Sequence, residues 1–107
     1  MKPIVPREQA LRDIDDAIAY CLREGGEAPA PNFIDALERA YAHIRAHPAT
    51  GSPRYAHELD LPGVRAWLLD RYLYAVFYVE RPDHIDVWRV LHTRHDIPAW
   101  LLEQPGE

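Results

Sequence analysis

The sequence predicts an α+β fold in which an antiparallel helical hairpin packs on a small antiparallel sheet, in the order β-α-α-β-β-β. Two stretches, at about residues 7–24 and 33–47, repeat apolar residues at three- and four-residue steps, the period of an amphipathic helix. Three later runs, 64–69, 72–80 and 84–91, are rich in β-branched and aromatic residues and are separated by short turn-forming segments. The chain has 107 residues, enough for one hydrophobic core and too few for two, so a single domain over 1–107 with a C-terminal tail at 98–107 is expected.

Each element has its own reason. Lys2-Pro3-Ile4-Val5-Pro6 places β-branched residues between prolines, which suits a short edge strand. In the first helix Leu11, Ile14, Ile18 and Cys21/Leu22 form the apolar stripe with Ala10 and Ala17 beside it, while Arg12, Asp13, Asp15 and Asp16 take the other faces. Gly25-Gly26 ends the helix, and 25–31 reads as a loop. Asn32 is then a suitable N-cap, with Asp35 in the first turn, where the helix dipole favours an acid. Phe33, Leu37, Ala40/Tyr41 and Ile44 make the second stripe, which Pro48 stops.

The segment from Ala49 to Gly63 is turn-rich, and three strands follow it. Asp70-Arg71 and Arg81-Pro82-Asp83 are short enough for hairpins, so the strands form an antiparallel meander. In the middle run Leu73, Ala75, Phe77 and Val79 face one way, and Tyr72, Tyr74, Val76 and Tyr78 the other. The first face suits a helical cover; the second is aromatic and only partly apolar, and reads as open.

Composition narrows the function. Hydrophobic residues make up 48% and charged residues 27%, ordinary for a globular chain. One cysteine, Cys21, excludes an intrachain disulfide framework and fits a reducing cytoplasm. No apolar run is long enough to cross a bilayer, and no signal-peptide pattern opens the chain. A net charge of −5 speaks against specific nucleic-acid binding through phosphate neutralisation. The negative excess sits in the first half: residues 7–47 hold five Arg against eight Asp/Glu, and residues 64–95 five Arg against four.

The stretch with most chemistry is Asp86–Trp100, DVWRVLHTRHDIPAW, an apolar strand that breaks into His92-Thr93-Arg94-His95-Asp96. His92, His95 and Asp96 offer two nitrogens and a carboxylate, without the helical spacing or the third and fourth ligands that a zinc site needs. His43 and His47 sit four apart at a helix C-terminus, where a histidine also suits the dipole. No metal and no cofactor is expected. Ser52 lacks a nucleophile-elbow pattern, and neither a phosphate-binding glycine loop nor a paired-carboxylate signature is present. Arg89, His92, Arg94 and His95, with Tyr74 or Tyr78, would suit phosphate binding and proton transfer in RNA cleavage. Equally, these groups end a strand and pair with Asp86 and Asp96. Trp67 and Trp88, inside strands, read as packing residues.

Several patterns resemble one family in order and spacing. They are A-x-x-D-I-x-x-A-I-x-Y over Ala10–Tyr20, F-x-x-A-L over Phe33–Leu37, H-P-x-x-G over His47–Gly51, Glu58-Leu59, and Gly63-Val64-Arg65. Y-x-V-F-Y over Tyr74–Tyr78 and V-x-R-V-L-H-x-x-x-D-I-P over Val87–Pro98 complete the set. Together they resemble the ParE branch of the RelE/ParE superfamily of bacterial toxins, over nearly the whole chain. That resemblance implies a toxin of a type II toxin–antitoxin system that inhibits DNA gyrase by binding it. It also implies no catalytic residues and a cognate ParD-like antitoxin whose tail wraps the toxin.

The alternative is the RelE-like, ribosome-dependent mRNA endonuclease. Its loop lysines are absent here, and its central-strand arginine position falls at about Ala75. On the ParE-like reading the target-facing surface is the C-terminal run, with Arg89, His92, Arg94, His95, Asp96 and Trp100 as contacts. The aromatic sheet face, with Tyr72, Tyr74 and Tyr78, is expected to meet the antitoxin, along with the hairpin's outer surface and the free edge of the first strand.

Overall fold

The computed structural model describes residues 1–24 and 30–102, and the side chains of 1–23 and 32–102. The elements are β1 (Ile4–Pro6), α1 (Glu8–Glu24), α2 (Ala30–Ala46), a 3-10 turn (Pro48–Thr50), α3 (Arg54–Glu58), β2 (Val64–Leu68), β3 (Tyr74–Glu80), β4 (Ile85–His92) and α4 (Ile97–Leu102). The fold class is the α+β arrangement that the periodicities predict.

The strand order is β1-β4-β3-β2. β2, β3 and β4 form the expected antiparallel meander, while β1 lies parallel to β4, so the sheet is mixed. The connections differ from simple hairpins. Five residues join β2 to β3, with Arg71 at φ 65° and Leu69 N–H donating to Tyr74 O at 3.0 Å. Arg81 N–H donates to His84 O at 2.8 Å to close the turn before β4.

The hairpin covers one sheet face. Phe33, Leu37, Ala40 and Ile44 of α2 are buried there, as their spacing predicts. α1 is rotated relative to the expected stripe: Ala10, Asp13, Ala17 and Cys21 are its buried residues, whereas Leu11 and Leu22 are 49% and 70% exposed. Small side chains on the inner face let the α1 backbone approach the sheet closely, and the larger residues are displaced to the flank. α2 begins at Ala30, so Asn32 lies inside its first turn and is not its N-cap; Pro31 suits a helix start because its missing N–H would have no partner there. The expected stop at Gly25-Gly26 lies outside the described residues.

The two sheet faces are the reverse of the expectation. Tyr72, Tyr74, Val76 and Tyr78 pack in the main core beneath the hairpin, together with Ile85, Val87 and Val90. Ala75, Phe77 and Leu91 point the other way, into a second cluster closed by Ile97 and Leu101 of α4, with Tyr55, Leu59 and Leu61 around it. Tyrosines suit the covered face because their rings bury area, and the hydroxyl of the fully buried one, Tyr78, is hydrogen-bonded. The helix α3, inside a segment that reads as turns, and the helix α4, inside the expected tail, supply the second cover.

One irregularity places the C-terminal run. Tyr78 pairs with Val87 but Phe77 with Arg89, so Trp88 has no partner across the ladder. This bulge breaks the alternation of β4. Val90 follows Val87 into the main core, and Leu91 falls to the other side.

Candidate functional site

Beyond β4 the chain turns tightly, and each polar residue of the turn has a local task. His92 Nδ1 accepts from Arg94 N–H at 3.1 Å, which leaves the ring proton of the neutral form on Nε2. His95 N–H donates to His92 O at 3.0 Å. Asp96 Oδ1 accepts from Ala99 N–H at 3.4 Å and so caps α4. Burial first, and then the nearby Arg94 and His95, hold the His92 pKa below its ordinary value. His92, His95 and Trp100 line one recess of about 260 Å³ together with Tyr74 and, from α1, Asp16 and Arg23. The His95 ring stacks on Trp100 with centroids 4.4 Å apart. Arg94 and Asp96 are exposed at the surface.

Arg89, expected as a target contact, is instead inside the protein. It is 3% exposed and forms a two-pronged ion pair with Asp13 of α1, at 2.7 and 2.9 Å. Its Nη1 donates to Trp100 O at 3.1 Å, and its guanidinium lies 5.1 Å from the Trp100 ring centroid. Asp13 also accepts from Val90 N–H at 3.1 Å. Arg89 therefore joins α1, β4 and α4, and has no surface to offer a partner. The sequence signal for Asp13 was its place among the small residues Ala10, Ala17 and Cys21, an acid on what proves to be the buried face.

A second buried carboxylate holds the start of β4. Asp86 receives both Nε and Nη2 of Arg7 at 3.0 Å and Arg81 at 3.0 and 3.1 Å, with Trp88 Nε1 at 3.2 Å. Burial pushes its carboxyl up, but the hydrogen bonds and charges of Arg7 and Arg81 outweigh that and hold the pKa low.

The three expected antitoxin tyrosines lie on the hairpin-covered face. Tyr72 and Tyr74 are half-buried and meet the Phe33 ring edge-on at 5.4 and 5.2 Å. Tyr78 is fully buried: its hydroxyl donates to Pro48 O at 2.7 Å and accepts from Gly51 N–H at 3.0 Å. Arg65 Nη1 donates to Gly51 O at 2.9 Å. A Cβ on Gly51 would stand 2.6 Å from Tyr78 Oη and 2.9 Å from Arg65 Cβ, so the hydroxyl is reached only because residue 51 is glycine. The H-P-x-x-G and Y-x-V-F-Y patterns meet at this contact.

A wide opening lies on the second sheet face. A recess of about 580 Å³ lies between α3, β2, β3 and the start of α4, with Tyr55, Phe77, Ala75, Leu68 and Ile97 among its walls. It is lined mainly by apolar side chains. The recess borders the β2 edge, and the β1 edge lies at the opposite side of the sheet. On β1, Pro3 O accepts from Ile85 N–H and Arg7 N–H donates to Val87 O, so Ile4 and Pro6 point their backbone groups outward, and only Ile4 has an N–H to offer. Prolines thus blunt that edge. Among the described residues no group of three His, Cys, Asp or Glu side chains gathers as a metal site, and no helix is long and apolar enough to cross a membrane.

The model of a family described as the ParE toxin of the type II toxin–antitoxin system parDE matches residues 4–97, from the start of β1 to the first residue of α4. The chain belongs to the ParE toxin family. This toxin also resembles in fold a solved structure titled "Chromosomal ParDE TA system from P. aeruginosa", with a TM-score of 0.70 and 18% identity over 86% of this chain and 96% of that one. No curated protein matches the toxin. Two patterns of the resemblance, H-P-x-x-G and V-x-R-V-L-H, thus prove to hold internal contacts of the toxin: Gly51 against Tyr78, and Arg89 against Asp13.

Proposed function

We propose that this ParE-family toxin acts by binding DNA gyrase and is neutralised by a ParD-type antitoxin. The family match over residues 4–97 carries the reading. The arrangement of charge supports a binding protein over the RelE-like nuclease. Ala75, at the nuclease's central-strand arginine position, is 4% exposed in the second cluster, and Arg89 is locked to Asp13. His92 keeps Nδ1 engaged with a backbone N–H. Arg94 remains as an exposed cation at the C-terminal run, together with the rims of His92, His95 and Trp100. These residues form the proposed target-facing surface, with Asp96 fixing the turn. The groove on the second sheet face, rather than the tyrosine face, is the proposed seat of the antitoxin. Cys21 is free and buried, which fits action in the cytoplasm.

A supercoiling assay with purified gyrase and toxin tests the target. Inhibition at micromolar toxin that added antitoxin relieves is the expected outcome, and Arg94→Ala should weaken inhibition without changing antitoxin affinity. Unimpaired supercoiling beside rapid mRNA cleavage in expressing cells would replace this reading with the nuclease.

A further inference from the structure

The prolines close the β1 edge to most strands but leave it open to one. Pro3 O accepts from Ile85 N–H at 2.8 Å and Arg7 N–H donates to Val87 O at 2.9 Å, so the odd-numbered residues of this segment turn their backbone towards β4. Ile4 and Pro6 turn theirs outward. The Ile4 N–H, the Ile4 C=O and the Pro6 C=O have no partner among the described residues. Lys2, biased to an extended backbone by the proline after it, faces the same way. Its carbonyl is taken by Arg45 Nε at 3.1 Å, and its N–H is open. The outward groups in need of partners are therefore a donor at Lys2, a donor and an acceptor at Ile4, and an acceptor at Pro6.

The same groups, run in the opposite direction, satisfy this set. In an antiparallel pair, residues that exchange both backbone bonds recur at every second position. With Ile4 opposite Ile4 of a second copy, those two residues exchange two bonds, and each Lys2 N–H meets the Pro6 C=O across from it. The donors that the two Pro6 residues lack would have served the Lys2 carbonyls, which Arg45 already satisfies. Sliding the pairing to set Pro6 opposite Ile4 leaves the Ile4 carbonyl of each copy without a donor. Val5, 46% exposed, points to the other sheet face from Ile4 and comes to lie against Pro3 of the second copy.

The helix beside Ile4 fits the same two-fold arrangement. A recess of about 410 Å³ lies between β1 and α2, with Glu38, Tyr41, Ala42 and Arg45 along its helical wall. This wall is acidic at one end and basic at the other, and neither Glu38 nor Arg45 has an ion pair among the described residues. A two-fold axis through Ile4 sets α2 antiparallel to its copy, with Glu38 of each against Arg45 of the other. We propose that the β1 edge is a self-association surface: two copies of the chain pair antiparallel through Ile4, and one sheet runs through both. β2 and its groove lie at the opposite edge and stay open in each copy.

The test uses purified toxin without antitoxin: sedimentation equilibrium over a range of concentrations, hydrogen exchange at Ile4, and oxidative crosslinking of Ile4→Cys and Val5→Cys. Wild type should form a dimer as its concentration rises, with the Ile4 amide becoming protected in step. In the proposed pairing the two Ile4 Cα atoms lie about 5.5 Å apart, within reach of a disulfide. The two Val5 residues lie on a diagonal about 7–8 Å apart, beyond that reach. Ile4→Cys should therefore crosslink to a dimer and Val5→Cys should not. Glu38→Arg, at an exposed position, sets like charges across the axis twice and should raise the dimer dissociation constant roughly tenfold. A toxin that stays monomeric, a dimer whose Ile4 amide exchanges freely, or equal crosslinking of the two cysteine variants overturns the inference. An Ile4 amide protected only when antitoxin is added also overturns it and gives the edge to that partner. The inference does not rest on the toxin's target, which the supercoiling assay decides separately.

Discussion

At the scale of single residues, His92 links turn geometry to pH. Its Nδ1 must remain an acceptor to hold Arg94 N–H at 3.1 Å, and a protonated ring cannot accept there. The folded pKa is held below the ordinary value of 6.5 by burial and by Arg94 and His95. Above the ordinary value the ring is neutral in both folded and unfolded chains, and the stability of this site is complete. As pH falls through that value the unfolded chain takes up a proton that the folded site resists, so stability drops, and the slope ends below the folded pKa. Urea midpoints measured between pH 7.5 and pH 5 should therefore fall less for His92→Asn than for wild type, since Asn can accept the same N–H without titrating. An equal fall in both proteins would remove His92 from the account.

At the scale of elements, α1 is defined by which residues it brings close to the sheet. Ala17 is 2% exposed and Leu22 is 70% exposed, the opposite of what hydrophobicity alone would choose. Ala17→Leu should cost about 1–3 kcal/mol through overpacking. Leu22→Ala should stay within about 0.5 kcal/mol of wild type. Thermal or urea unfolding of the two variants checks the orientation of the helix. The short helices behave differently. α4 has only six residues and is held by the Asp96 cap, by burial of Ile97 and Leu101, and by Arg89 on its Trp100 carbonyl. Such helices owe their stability to tertiary contacts, since a helix this short is unstable alone.

At the scale of the whole molecule, the Asp13–Arg89 pair joins the hairpin, the sheet and the C-terminal helix. Both side chains are about as buried as core residues, at 5% and 4% exposed. Removing one partner leaves the other charge in low dielectric, so Asp13→Ala should destabilise by about 3–5 kcal/mol. Replacing both with apolar residues of similar size, as in Asp13→Leu with Arg89→Met, should recover much of that loss. If the double variant is no more stable than Asp13→Ala, shape and hydrogen bonding at this junction outweigh its charge.

The sequence by itself determined the order of the four strands and the two long helices, the α+β class, the second helix's buried stripe and the family. Periodicity and turn residues are local properties, and the family patterns are spread along the chain in fixed order. Which sheet face the hairpin covers was decided only in three dimensions, because alternation tells two faces apart without saying which is buried. The roles of Arg89, Tyr78 and Gly51 were equally illegible: each depends on a partner 76, 30 or 27 residues away. The bulge at Trp88 shifts the rest of β4 by one residue relative to β3, and no local signal announces it.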